Sequence, residues 1–351
     1  MNDSGFKPFL LKIFVGSIPV QIFIAIMAYF YFFEFRYEVG DIGSLGKLSF
    51  DTEYYDELVA PKFKDLYVDN YKPGDSIQDI VTFGDSFSQQ GINGFQNYLA
   101  HRRNRRITNV VADLSKTSPA QMAIYMLESG LLDNKAEFLV LEIVERHVIG
   151  GWSSLKYDED IKELPIGEGD GNPRDTDKLS WLGRLFKQGK DWMKIGLGFA
   201  SNPIHRVGLS KACFGMPQKE NMLYFYDEDL MLTEVTDQQM KCFTDNLLKL
   251  DQLCKSKNIK LIFCIVPDKY EVYQHLTDHS IYPEKKLGVQ ISNATDTLDF
   301  VVNPRIGIIK KIDAGEKDVY FPNDTHWSYK GASFAADMIY DRIMQTSAKH
   351  H

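Results

Sequence analysis

The sequence predicts a three-layer α/β/α sandwich on a parallel sheet, preceded by one membrane-spanning helix. Three observations lead there. From residue 78 onward, short β-rich runs alternate with helical stretches, the pattern that winds a parallel sheet between two layers of helices. Two of those runs, FLVLEIV at Phe138–Val144 and LIFCIV within Lys260–Val266, are apolar almost throughout, as strands buried on both faces must be. Near the start, residues 13–33 (IFVGSIPVQIFIAIMAYFYFF) carry no charge, and a helix of ~20 apolar residues spans a hydrocarbon core of ~30 Å.

Taken in order, residues 1–12 are a cytoplasmic tail. Lys7 and Lys12 precede the span, and mostly acidic residues follow it (Glu34, Glu38 and Asp41, with Arg36), so the positive-inside rule keeps the N-terminus in the cytoplasm. Pro19 is tolerated inside a bilayer helix, and the aromatic cluster Tyr29–Phe33 suits the far interface. A cleaved signal peptide is the rival reading. The apolar run exceeds the usual 7–15-residue h-region and no A-x-A-like site follows it closely, which favours an uncleaved anchor at residues 13–33. The expected location is the inner or cytoplasmic membrane, single-pass, with the bulk of the chain periplasmic or extracellular.

Residues 34–77 have no sustained period and contain Pro61 and Pro73-Gly74, as expected of a stalk and entry to the domain. The domain proper, 78–349, has strands expected at Asp79–Phe83, Ile107–Val111, Phe138–Val144, Lys260–Val266 and Val319–Phe321, and helices at Pro119–Leu131 and Gln238–Lys255. An insertion at about 150–218 breaks that rhythm with GEGDGNP and three of the four tryptophans. Open α/β folds put substrate-facing elements after strand carboxyl ends, so a lid is one expectation here. Its stripe of Trp181, Leu182, Leu185, Phe186, Trp192, Met193 and Ile195 either packs on the domain's own core or docks on a membrane partner or glycan.

Composition excludes other classes. With 44% apolar, 13% aromatic and 25% charged residues, the 351-residue chain is neither disordered nor repetitive. Lys and Arg number 40 against 48 Asp and Glu, net −8, which argues against a nucleic-acid partner. The one basic cluster, His101-Arg102-Arg103-Asn104-Arg105-Arg106, reads as a solvated helix end or a small polyanion site. Cys213, Cys242, Cys254 and Cys264 lack C-x-x-C spacing and an adjoining His, so no metal site is expected.

The chemistry concentrates at strand ends. Strand IVTF runs into Gly84-Asp85-Ser86-Phe87-Ser88, placing Ser86 on a tight turn at a strand's carboxyl end. Gly84 permits the close turn, and free N–H groups there suit a developing oxyanion. The plain alternative is a Ser or Asp that merely caps a helix. Near the C-terminus, Asp324-Thr325-His326-Trp327 precedes a helical run. Two positions apart on an extended loop, Asp324 and His326 point the same way, so a carboxylate can hold one imidazole nitrogen while the other faces a serine. Glu145 and His147, at the end of FLVLEIV, form a competing carboxylate–His pair. Arg146 and Lys269, also at strand carboxyl ends, are candidates for binding an anionic group, with surface ion pairing as the alternative.

A G-D-S serine on the first strand with a C-terminal Asp–His pair resembles the SGNH (GDSL-like) hydrolase superfamily, over residues 78 to about 345. The set GDSF, E-x-x-E-R, V-P-x-K and D-x-H-W is most similar to alginate-type and related polysaccharide O-acetyltransferases. That resemblance implies a flavodoxin-like fold and an extracytoplasmic serine enzyme moving acetyl groups onto sugar hydroxyls. It implies no cofactor, a polysaccharide acceptor, and an integral membrane-bound O-acyltransferase that supplies acetyl. Carried over, Ser86 is the nucleophile, His326 the base and Asp324 its orienter, with Gly84, Asp85, Arg146, Lys269, Ser118 and Trp327 in oxyanion or substrate-binding positions. Three departures stand out. The D-x-H motif follows the serine instead of preceding it, as in a circular permutant of the alginate enzymes. The G-x-N-D oxyanion block is missing, leaving Ser115, Ser118 or Arg146 as substitutes. The D-T-H spacing replaces D-x-x-H. An esterase acting on the same polymers, or a glycan-binding accessory protein with a vestigial site, remains an alternative.

Overall fold

The computed structural model of the protein describes residues 6–29, 57–113, 116–152, 155, 164–166, 204–216, 219–277 and 282–348. The Tyr29–Phe33 cluster beyond Tyr29, Ser115 and most of the 150–218 insertion, with its Trp181–Ile195 stripe, lie outside the described residues. Helix α1 (Phe6–Tyr29) contains Pro19. Its side chains are described over 14–26 alone, and there Phe14, Val20, Phe23 and Ile24 are exposed. Among the described residues no helix is long and apolar enough to cross a membrane.

The rest is an α/β fold. In chain order its elements are β1 (Val68–Asn70), β2 (Ile80–Phe83), α2 (Phe95–Arg103), β3 (Ile107–Val110), α3 (Pro119–Glu128), β4 (Phe138–Val144), α4 (Glu145–Trp152), β5 (Ile204–Gly208), β6 (Met222–Tyr226), α5 (Asp237–Ser256), β7 (Lys260–Val266), α6 (Lys269–Tyr273), α7 (Leu287–Thr295), β8 (Val301–Val302), α8 (Arg305–Asp313) and α9 (Tyr329–Ala348). Six strands form one sheet in the order β1-β3-β2-β4-β7-β8, every neighbouring pair parallel. Strands β5 and β6 form a separate antiparallel pair.

The expected strand at Val319–Phe321 is corrected here: Tyr320 makes a single antiparallel bridge to Trp327, and the segment folds back as a loop. The remaining sheet strands are instead the two-residue β8 and the three-residue β1, both too short to carry a readable pattern. Elsewhere the local chemistry is plain. Ser118 caps α3 by accepting from the Gln121 N–H at 3.2 Å, with Pro119 at the first helical position. Thr236 and Gln239 make a reciprocal capping box at the start of α5. Asn104, at φ 49°, closes α2 in the left-handed conformation.

Strand residues alternate between two apolar layers. Ile80, Val140 and Ile262 join Phe95 and Leu99 of α2 and the Ala335–Ile339 face of α9. Val81, Leu141 and Phe263 join Met126 of α3, Val148 of α4 and Leu247 of α5. The basic cluster at the end of α2 is taken up by neighbours: Arg102 pairs with Asp337, Arg103 and Arg105 with Asp79, and Arg106 with Asp69.

Strand order places the site. The chain leaves β2 toward β3 on one side of the sheet and leaves β4 toward β7 on the other. The carboxyl ends of β2 and β4, which lie side by side, therefore flank the crevice where open α/β sheets bind ligands.

Candidate active site

Ser86 opens a 3₁₀ turn, Ser86–Gln89, immediately beyond β2. Asp85 holds that turn. Its Oδ1 accepts from the Phe87 N–H at 3.1 Å, and its Oδ2 accepts from the Val144 N–H at 2.8 Å, tying the turn to the end of β4. Asp85 is only 3% exposed, so it braces the turn from below instead of meeting substrate. Gly84 has a steric role: an added β-carbon would run into Glu142 Oε2 and Ser88 Oγ and stand 2.6 Å from Glu142 O. Ser86 itself is exposed.

Across from it, His326 Nε2 stands 2.8 Å from Ser86 Oγ. His326 Nδ1 contacts Asp324 Oδ1, which also accepts the His326 backbone N–H at 3.0 Å, so one carboxylate fixes the ring and its peptide together. Hydroxyl, imidazole and carboxylate in this sequence can pass a proton from the serine to the ring while the carboxylate stabilises the resulting imidazolium. The loop that carries them is tightly folded. Phe321 N–H donates to His326 O at 3.1 Å and Ser328 N–H to Val319 O at 2.9 Å. Trp327, fully buried, sets its ring edge-on to Phe87 at 5.2 Å and packs in the core, so it anchors the loop. Phe87 also lies against His326, with ring centres 4.6 Å apart.

Two expected substrate-binding groups are placed differently. Lys269 is fully buried, and its Nζ donates to Phe321 O at 2.7 Å and to Pro322 O and Asp324 O at 3.1 Å each. Its charge serves the Asp324–His326 loop from behind. Arg146 is 8% exposed and faces Asp268 and, at 3.3 Å, Asp229. Burial would lower its affinity for a proton, but those two carboxylates outweigh it and raise it further. Lys285, fully buried, pairs with the same Asp268 and stands 3.5 Å from Glu145 Oε1. Within this cluster burial pushes Glu145 up to about 8 and Asp229 up to about 6. Both basic groups fell at strand ends as the sequence suggested, yet each is consumed internally, because a buried cation must be paired or hydrogen-bonded. Ser118 likewise serves as the α3 cap.

The competing pair is split. Glu145 turns into the buried cluster, whereas His147 is exposed and its Nδ1 lies 3.8 Å from Asp85 Oδ2, an electrostatic contact beyond hydrogen-bonding range. A cavity of about 670 Å³ at Tyr270, Gln274, Tyr282, Lys285 and Arg305 includes none of Ser86, Asp324 and His326. Sequence reasoning took Glu142 as the first residue of E-x-x-E-R but gave it no role of its own. Its signal is an acid inside an otherwise apolar buried strand, and the structure brings it directly beneath the Ser86 turn.

No curated protein matches the chain in sequence. A family model does: that of the SGNH hydrolase-like domain, acetyltransferase AlgX, over residues 223–351. The matched stretch contains Lys269, Asp324 and His326, while Ser86 lies before it. Over residues 223–351 the chain is thus similar to the SGNH hydrolase-like domain of acetyltransferase AlgX, and the enzyme class this match implies is an O-acetyltransferase.

Proposed function

We propose that the protein is a membrane-anchored, extracytoplasmic serine O-acetyltransferase that acetylates a cell-surface or exported polysaccharide through an acetyl-Ser86 intermediate. The observation that carries this reading is the 2.8 Å approach of His326 Nε2 to Ser86 Oγ, with Asp324 on the opposite ring nitrogen. In the first half-reaction His326 takes the Ser86 proton, Oγ attacks the acetyl carbonyl, and the donor's leaving group departs with that proton. In the second, His326 takes the proton of a sugar hydroxyl, whose oxygen attacks the acetyl-serine, and Ser86 recovers its proton. The Ser86 backbone N–H, at the first residue of the 3₁₀ turn, is the donor assigned to the oxyanion.

The AlgX-type match supports the polysaccharide acceptor. Donation of acetyl by an integral membrane-bound O-acyltransferase belongs to the same proposal. So do the anchor at residues 13–33 and the division into tail, anchor, stalk and catalytic domain at 78–349. Support for the anchor comes from the uncharged run itself and from the exposed apolar side chains on α1.

The test uses the full-length protein in detergent. Ser86→Ala, His326→Ala and Asp324→Asn should each lower turnover of a small acetyl ester by roughly 10³-fold, as such losses do in serine hydrolases. Intact-mass spectrometry should show an acetyl adduct in the wild type and none in Ser86→Ala. Undiminished turnover by Ser86→Ala ends the serine mechanism. If acetyl passes to water in the presence of every oligosaccharide offered, the enzyme is an esterase.

A further inference from the structure

On the face of β4 that packs against α2 and α9, apolar residues alternate as Phe138, Val140, Glu142 and Val144. The exception, Glu142, is fully buried at the centre of the sheet. Its Oε2 accepts from Ser88 Oγ at 2.8 Å, and its Oε1 accepts no hydrogen bond. The absent side chain of Gly84 leaves the carboxyl room directly under the Ser86 turn, beside the residue that precedes it, Asp85, whose own carboxylate is held at Val144, two positions along β4 from Glu142. Two neighbouring buried carboxyls favour a single negative charge between them. Their surroundings decide which keeps it. Asp85 accepts two backbone N–H groups and has His147 nearby, whereas Glu142 has one hydroxyl, one backbone N–H, that of Asp85, and the Cys264 thiol, its register neighbour on β7.

We infer that Glu142 is a positioning residue: a neutral carboxylic acid whose proton bridges to Asp85 and so fixes the turn that presents Ser86. The inference rests on the acyl-serine reading. Burial pushes Glu142 well above the usual carboxylate range, and the Asp85 charge pushes the same way. On Asp85 the effect of burial is outweighed by His147 and by the Val144 and Phe87 N–H groups, which hold it below its ordinary value. Cys264 is pushed well up by burial and stays a thiol. Ionising Glu142 would set a second charge against Asp85 and loosen its grip on the Phe87 and Val144 N–H groups, which set the position of Ser86. Activity should therefore be present while Glu142 is protonated and be lost as pH rises through its titration.

The experiment compares wild type, Glu142→Gln and Glu142→Leu as full-length proteins. The difference infrared spectrum of wild type against Glu142→Gln should show the carbonyl stretch of a protonated carboxylic acid at pH 7. On a small acetyl ester, Glu142→Leu should lose roughly 10-fold or more, the equivalent of one charge-assisted hydrogen bond. The glutamine, which keeps a donor for Asp85 and an acceptor for Ser88, should restore most of that loss and abolish the alkaline decline while leaving the acid limb. An absent acid band, an alkaline decline unchanged in Glu142→Gln, or a glutamine variant as impaired as the leucine each overturns the inference. Ser86→Ala run in parallel reports on the acyl-serine reading separately, and the infrared band locates the proton whatever that control shows.

Discussion

Replacing Lys269 by Met keeps the length of the side chain and removes its charge, at a group reaching three carbonyls of the loop that carries Asp324 and His326. Each charge-assisted hydrogen bond contributes about 1.5–3 kcal/mol, and such terms add incompletely, so a loss near two contacts' worth, roughly 3–5 kcal/mol, is expected in unfolding free energy. Because the ammonium lies behind the loop and is fully buried, its loss reaches the chemistry only by letting His326 drift from Ser86. Displacements on the order of 1 Å cost about 10²-fold in rate. The assay is turnover on two substrates, a small neutral acetyl ester and an acetyl-accepting oligosaccharide, at a temperature where denaturant titration shows the variant folded. The kcat should fall by at least ~10-fold and equally on both, with KM for the ester unchanged. A loss confined to the oligosaccharide would refute this reasoning and return Lys269 to the substrate-binding role first expected from its strand-end position.

Two further outcomes are expected. Glu145 sits with its folded value about 8 against an ordinary 4.5, so the folded state holds its proton where the unfolded chain has released it. Wild-type stability should fall as pH rises from about 4.5 to about 8, and Glu145→Gln should lack that slope. In urea titrations the variant's advantage should approach roughly 5 kcal/mol at the alkaline limit, and a pH-independent difference would show Glu145 to be ionised throughout. For the anchor, the full chain should stay with membranes through a carbonate wash and a chain lacking residues 1–33 should not. Equal retention of both would remove the anchor from residues 13–33.

The sheet and the Ser86 turn were legible because their signals are local. FLVLEIV and LIFCIV show their double-sided burial in consecutive residues, and Gly84-Asp85-Ser86 follows its strand directly. Edge strands were not legible: two or three residues, as at Val301–Val302 and Val68–Asn70, cannot display a period. Val319–Phe321 shows the reverse error, an apolar triplet that packs in the core as part of a loop clamped by Lys269. The roles of Arg146 and Lys269 depend on partners far along the chain, Asp229, Asp268 and the Phe321–Asp324 carbonyls. Position at a strand end says that a charge stands near the crevice; which way it turns depends on where the opposite charges fold. Glu142 was visible as an acid in an apolar strand, but its relation to Asp85 exists only once β2 and β4 are paired.

Ser86 and His326 are 240 positions apart in the chain and 2.8 Å apart in the fold. Translation at about 5–20 residues per second leaves roughly 12–50 s between the synthesis of the serine and that of its imidazole partner. Throughout that interval β2, β3, β4 and their helices can assemble around a serine whose imidazole neighbour has not yet been made. Termination before His326 leaves Ser86 without the imidazole it faces, however much of the sheet has assembled.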